Sequence, residues 1–194
     1  MTRSSKAWTV DSAVFSRLLG LMTLLVFGYG LEWACGSGYP YGDDNSAHFA
    51  LAAHISQQIQ SLNTNFWWHP SNLGIPLFAA YQPLPALGMG TLMAVLGAWV
   101  QPVVLFKMSI LVCWSLMPLA WGYGGRMVGL SRPAALVLAA LTLTVHDPDS
   151  IGFTLRSSLF RGLYTQHFGL LMFPLAVGSC LLYTSDAADE RSSV

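Results

Sequence analysis

The sequence predicts an all-α fold: an integral membrane multi-helix bundle with an amphipathic interfacial helix in its first outer loop. Three observations carry that reading. Hydrophobic residues make up 54% of the 194-residue chain and charged residues only 9%, with a mean hydropathy of +0.51, so a water-soluble domain would lack the polar side chains to cover itself. Apolar runs recur along the chain, the first long enough to cross a bilayer at ~20 residues per crossing. The charges collect between the runs rather than inside them. Formal net charge is zero, so the chain offers no basic face to a phosphodiester backbone, and the expected partner is the lipid bilayer rather than nucleic acid.

The first span is read at residues 13–33. Arg3 and Lys6 precede it and Arg17 stands near its start. That basic flank places the N-terminus in the cytoplasm and the following loop outside, in a protein of the cytoplasmic (inner) membrane. No small-x-small cleavage site follows, so the segment reads as a retained anchor rather than a signal peptide. Glu32 and Trp33 are poor residues ahead of a lipoprotein cysteine at Cys35, and Cys113 lies inside an apolar run, so no disulfide framework is indicated.

The first outer loop, 36–76, opens with Gly36, Gly38, Pro40 and Gly42, all turn formers. Asp44, Asn45 and Ser46 then offer N-caps. Leu51, Ile55, Ile59 and Leu62 recur at helical spacing while Gln57, Gln58 and Gln60 face elsewhere. The pattern predicts an amphipathic helix from Asn45 to Leu62 lying on the membrane surface. Phe66-Trp67-Trp68-His69-Pro70 supplies aromatics suited to the headgroup layer.

A second span is expected at 83–100, with Pro83 and Pro85 in its first turn where missing amide hydrogens do least harm. A third is expected at 103–121, followed by the Gly-rich stretch Gly122–Arg126. The apolar run 134–145 is short for a crossing and reads as a half-helix. A polar stretch, 146–166, holds Asp147, Asp149, Arg156 and Arg161, and a last span is read at 167–179. Two rules conflict over the middle of the chain. Counting alternate crossings puts Arg126 and Arg132 outside, whereas the basic-residue rule puts them inside.

Residues 180–194 break the pattern. Cys180–Glu190 resembles the conceptual translation of a transposase-based sequencing adapter, and is expected to be a non-native tail. On that reading 1–179 is the start of a longer membrane protein, and the chain by itself is expected to be inactive.

The residues that carry chemistry sit in the loops. Asp43 and Asp44, with His48 one helical turn later, are adjacent carboxylates and an imidazole at the expected water-lipid boundary, a set able to take a proton or hold a divalent cation such as Mg or Mn. The same two aspartates also suit helix capping, and His48, His54 and His69 suit a wet interface. Arg156 and Arg161 are cations for a phosphate or anchors for lipid headgroups. Tyr81 and Gln82 line the start of the second span. Asp147 and Asp149 flank Pro148 and read as turn residues. No Gly-rich phosphate loop, Cys-x-x-Cys pair or His-Glu-x-x-His zinc signature occurs.

The order first span, Gly42-Asp43-Asp44 with His48, loop helix, and Asn72-Leu73-Gly74-Ile75-Pro76-Leu77-Phe78-Ala79-Ala80-Tyr81-Gln82-Pro83-Leu84-Pro85 leading into the second span resembles the N-terminal part of the GT-C type multi-spanning glycosyltransferase superfamily. Its nearest likeness is to the bacterial membrane proteins labelled 6-pyruvoyl-tetrahydropterin synthase-related. Arg161-Gly162 ahead of an apolar run containing Pro174 extends the match. The resemblance implies a transferase using a polyprenyl-phosphate-linked sugar, in which Asp43 or Asp44 acts as base or metal ligand. The competing class is a non-enzymatic polytopic membrane protein, a transporter or a polysaccharide-export partner. Transport asks for ionisable groups near the middle of a span, whereas Lys107 lies near an end of its own.

Overall fold

The computed structural model describes residues 10–40, 42–69, 74–76, 82–144 and 161–192. Tyr81, Asp147, Asp149 and Arg156 lie outside the described residues. The described chain is mostly helical. In order, α1 is Ser12–Cys35, α2 Asn45–Gln60, α3 Pro83–Leu96, α4 Pro102–Ser115, α5 Met117–Met127, α6 Arg132–Thr144 and α7 Tyr164–Ser192. Two short strands, β1 (Trp67–Trp68) and β2 (Ile75–Pro76), pair antiparallel with Trp67 opposite Pro76 and Trp68 opposite Ile75.

Among the described residues, three stretches are long and apolar enough to cross a bilayer: Ser12–Cys35, Pro102–Met127 and Tyr164–Thr184. The second joins α4 and α5, which are separated only at Leu116, with Pro118 in the first turn of α5 where its lost amide hydrogen matters little. Gly122–Arg126, expected as a polar connection after the third span, is therefore helical. Its glycines serve packing, as shown below.

The expected span at 83–100 is shorter than its apolar run. α3 stops at Leu96, and Gly97 caps it by donating its backbone N–H to Met93 at 2.9 Å. Fourteen residues rise about 21 Å, short of the ~30 Å hydrocarbon layer. α7 runs on through the adapter-like tail, because Ala187 and Ala188 continue a helix at little cost.

The chain forms two compact units. In the first, 1–26 with 115–145 and 169–194, the start of α1 packs on α5 and α6. Phe15 and Leu19 meet Ala135 and Ala139, with Met22, Leu119 and Leu136 around them. Small residues let these backbones approach. A Cβ on Gly124 would stand 2.6 Å from the Pro174 Cβ and 2.8 Å from its carbonyl, and one on Gly178 would stand 2.6 Å from Met127. Tyr123 lies edge-on to Phe15 and its hydroxyl reaches Ser16 at 3.1 Å. Arg132, at the start of α6, donates to the backbone carbonyl of Val10 at 3.1 Å, so these two helices begin at the same end.

In the second unit, 27–114 with 146–168, α2 packs against α3. Ile55 and Ala86 are buried, with Leu51, Ile59, Phe66, Trp68 and Leu87 around them. Gly90 makes room, since a Cβ there would lie 2.7 Å from that of Ile55. The stripe Leu51, Ile55, Ile59 that the sequence assigned to the membrane surface is thus covered by α3. Leu62 leaves the stripe: it lies past the helix end with φ 54° and is 91% exposed. Asn63 N–H bonds to Gln58 and Leu62 N–H to Ile59, a Schellman ending with leucine in the left-handed position glycine usually takes.

Candidate functional site

The site lies in the second unit, where the turn before α2 meets the chain entering α7. Asp44 donates its backbone N–H to the Arg161 carbonyl at 3.3 Å. Arg161 Nη1 pairs with Asp43 Oδ2 at 2.8 Å. These residues are 118 positions apart in the chain. Gly162 makes the approach possible. Its φ is +74°, and a Cβ there would fall 2.8 Å from the carbonyl carbon and 2.9 Å from the nitrogen of Asp44, and closer still to the amide of Asn45. Only glycine satisfies both the left-handed conformation and the contact.

His48 sits half-buried one turn into α2, where its ring hydrogen-bonds the Gly162 carbonyl and stands 6.4 Å from the Tyr164 ring. Burial lowers its pKa below the usual 6.5, and the charge of Asp44 and the Gly162 bond pull in the other direction without overcoming it. The imidazole is therefore neutral at pH 7, the form that accepts a proton.

Beneath lies a run of rings. Tyr39 meets Phe49 edge-on at 5.1 Å, Phe49 meets the fully buried Phe106 at 5.6 Å, and Phe106 meets Tyr164 at 5.7 Å. The run thus reaches from the exposed Tyr39 through the half-buried Phe49 to the buried Phe106 and Tyr164. His167 is buried too, with Nδ1 2.7 Å from the Leu163 carbonyl and its ring 5.3 Å from Trp114.

Lys107 is 2% exposed at the start of α4. Its ammonium donates to the carbonyls of Trp33, at 2.9 Å, and Gly36, and lies 5.6 Å from the Trp33 ring centroid. These carbonyls end α1, so the buried charge meets the negative end of a helix dipole. A lysine in an otherwise apolar run is the signal that marks it in the sequence.

Of the residues singled out from sequence, Asp43, Asp44, His48 and Arg161 come together. Gln82 is exposed at the N-terminal end of α3. Asp44 holds the N-cap position of α2 but its side chain makes no capping hydrogen bond, so the capping alternative does not account for that carboxylate. His54 lies 5.1 Å from the Trp68 ring, its pKa lowered by burial, against which a bond to the Trp67 carbonyl acts, and further by the charge of His69. Gly162, Tyr164 and Phe106 enter the site, and Lys107 closes the end of α1, without having been chosen as functional residues from sequence.

Among the described residues no group of three or more His, Cys, Asp or Glu side chains stands together. The Asp43 carboxylate faces a guanidinium, which already supplies positive charge there. The chain matches no protein-family model, no curated protein and no solved structure.

Proposed function

We propose that the protein acts in a membrane-embedded transferase of the GT-C kind that takes a sugar from a polyprenyl-phosphate carrier. The observation that carries this reading is the apposition of Asp43-Asp44-His48 with Arg161. A transfer of this sort needs a base for the acceptor hydroxyl and a cation for the departing phosphate, and here the two stand on facing backbones. Asp44 and the neutral His48 are the proton-accepting groups. Arg161 is the phosphate partner. The acceptor proton passes to the base as its oxygen bonds the sugar carbon, and the carrier leaves with the electrons of the broken C–O bond as a phosphate anion.

The orientation we propose draws support from contacts at the two ends of α1. Arg132 meets Val10 at the start of α1, whereas Lys107 closes the end of α1. Arg132 beside Val10 sits at the N-terminal end of α1, taken as cytoplasmic, which supports an inward place for Arg126 and Arg132. The acidic turn with Arg161 is read as facing outward from the basic flank of the first span. Exposed Leu24, Leu25 and Tyr29 on α1, at 69%, 64% and 85%, suit lipid contact. Transport gains no support from Lys107, whose charge is already engaged by the end of α1.

The test is transfer of labelled sugar from a polyprenyl-phosphate donor by the full-length parent in native membranes. Asp44→Asn and Arg161→Gln are expected to abolish it while expression and insertion stay unchanged. Undiminished turnover in both rejects the reading. Labelling of engineered cysteines at 38 and 129 checks the orientation: 38 is expected to react from outside only and 129 from inside only.

A further inference from the structure

We infer that α3, rather than α2, is the helix that lies on the bilayer, docking its outer face into the boundary between lipid headgroups and acyl chains while α2 rides on its inner face. The inference is independent of the transferase reading. It concerns a helix as apolar as a span but too short to be one.

α3 is apolar on both sides. Ala86, Met89, Gly90 and Met93 are buried, and Ala86 and Gly90 on that side pack against Ile55 of α2. Gln60 of α2 fastens the contact by donating to the Ala94 carbonyl at 3.3 Å. The opposite side repeats at helical spacing through Leu84, Gly88, Leu92 and Val95 and continues past the helix end to Trp99, all of them exposed. Trp99 is 78% open, and a Cβ on Gly88 would have nothing within 4 Å. Between His69 and Lys107 the chain carries no Asp, Glu, Lys, Arg or His. A helix apolar all round needs an apolar neighbour on every side, and α2 accounts for one side only.

Three observations make the missing neighbour lipid. The α2–α3 pair is two-faced: Ser46 and Gln57 are exposed on the side of α2 away from Ile55, whereas α3 turns leucine, valine and tryptophan outward. A pair polar on one side and apolar on the other belongs at a water–lipid boundary. The link out of α3 suits a layer poor in water, because Gly97 donates its amide to the Met93 carbonyl at 2.9 Å and Trp99 and Val100 donate theirs to Leu96 at 2.9 and 3.0 Å. Residues 97–101 then lead straight into the membrane-length stretch Pro102–Met127, so the apolar face of α3 adjoins a segment fit to stand in lipid. Trp99, between the two, suits the headgroup layer. With no charge on the face, docking depends on apolar burial and not on anionic lipid.

The test uses the full chain in phosphatidylcholine nanodiscs, in a background carrying Cys35→Ser, Cys113→Ala and Cys180→Ser. A nitroxide is attached in turn through Gly88→Cys, Leu92→Cys and Val95→Cys on α3 and through Ser46→Cys and Gln57→Cys on α2. Collision with oxygen, which concentrates in lipid, is expected to exceed collision with a water-soluble nickel complex at 88, 92 and 95, and the order is expected to reverse at 46 and 57. Adding Val95→Glu should move the label at 92 toward the water-side pattern, while hydrogen-exchange protection of Asn45–Gln60 shows that α2 keeps its place on α3. Nanodiscs of phosphatidylserine are expected to give the same pattern. Nickel access at 88, 92 and 95 equal to that at 46 and 57 means that the face meets water and overturns the inference. Low access to both reagents means that protein covers it, spin–spin broadening between copies assigns that protein as a second chain, and either result overturns it as well. So does a pattern that forms only in anionic lipid.

Discussion

The two compact units are held together by different means. In the first, small residues on α5 and α7 and alanines on α6 let helices touch through their backbones, and polar side chains are few in the contacts. In the second, a buried lysine, a half-buried histidine and an exposed ion pair gather around a floor of rings. Packing through glycine needs only shape, so it tolerates chemical monotony and punishes added volume. A polar cluster on aromatic rings needs partners, so it tolerates some change in volume and punishes loss of charge or hydrogen bonds. Chemistry belongs to the second kind of construction.

The largest effect that would break this contrast is expected at Gly162. Gly162→Ala places a Cβ into the Asp44 backbone at a φ of +74°, costing about 1–3 kcal/mol in strain. It should also separate Arg161 from Asp43, so transfer is lost, while hydrogen exchange in Met117–Met127 is unchanged. Gly124→Val should do the reverse. Its Cβ meets the Pro174 backbone, and the expected loss is about 1–3 kcal/mol of thermal stability, with hydrogen-exchange protection of Asn45–Gln60 retained.

Lys107→Met should cost less, toward the lower end of ~1–3 kcal/mol, because methionine fills the space but leaves the Trp33 and Gly36 carbonyls without a donor. Faster exchange at the end of α1 is the measurement that checks it.

His48 sharpens the comparison by pH. Its folded pKa is below 6.5, so the unfolded chain takes up the proton first and stability falls as pH drops from 6.5 toward the lower, folded value. His48→Gln should flatten that part of the unfolding curve. A pH dependence identical in both proteins would mean the imidazole is not held neutral. The smallest effect is a gain: Leu62→Gly relieves a left-handed leucine that is 91% exposed, and is expected to stabilise by about 0.5–1 kcal/mol in thermal unfolding.

Much of this was legible in the residue pattern. The loop helix was expected from Asn45 to Leu62 and runs Asn45–Gln60, because period and turn formers are local signals. The carboxylates and His48 were legible as a cluster for the same reason, lying within six residues of each other. What covers the apolar stripe of α2 was not, since an amphipathic face reads the same whether lipid or another helix lies against it. Nor was the role of Gly122–Arg126, because glycines that read as a turn also permit close helix packing.

Composition and periodicity determined a helical chain rich in long apolar segments, because hydrophobic spacing and local capping act over one or two turns. Only the tertiary structure decided that Arg161 closes on Asp43, that Gly162 lets it, and that Lys107 ends α1. Those partners are 118 and 74 residues apart. Contacts over such distances depend on how the helices pack, and no local pattern encodes which loop a given loop will meet.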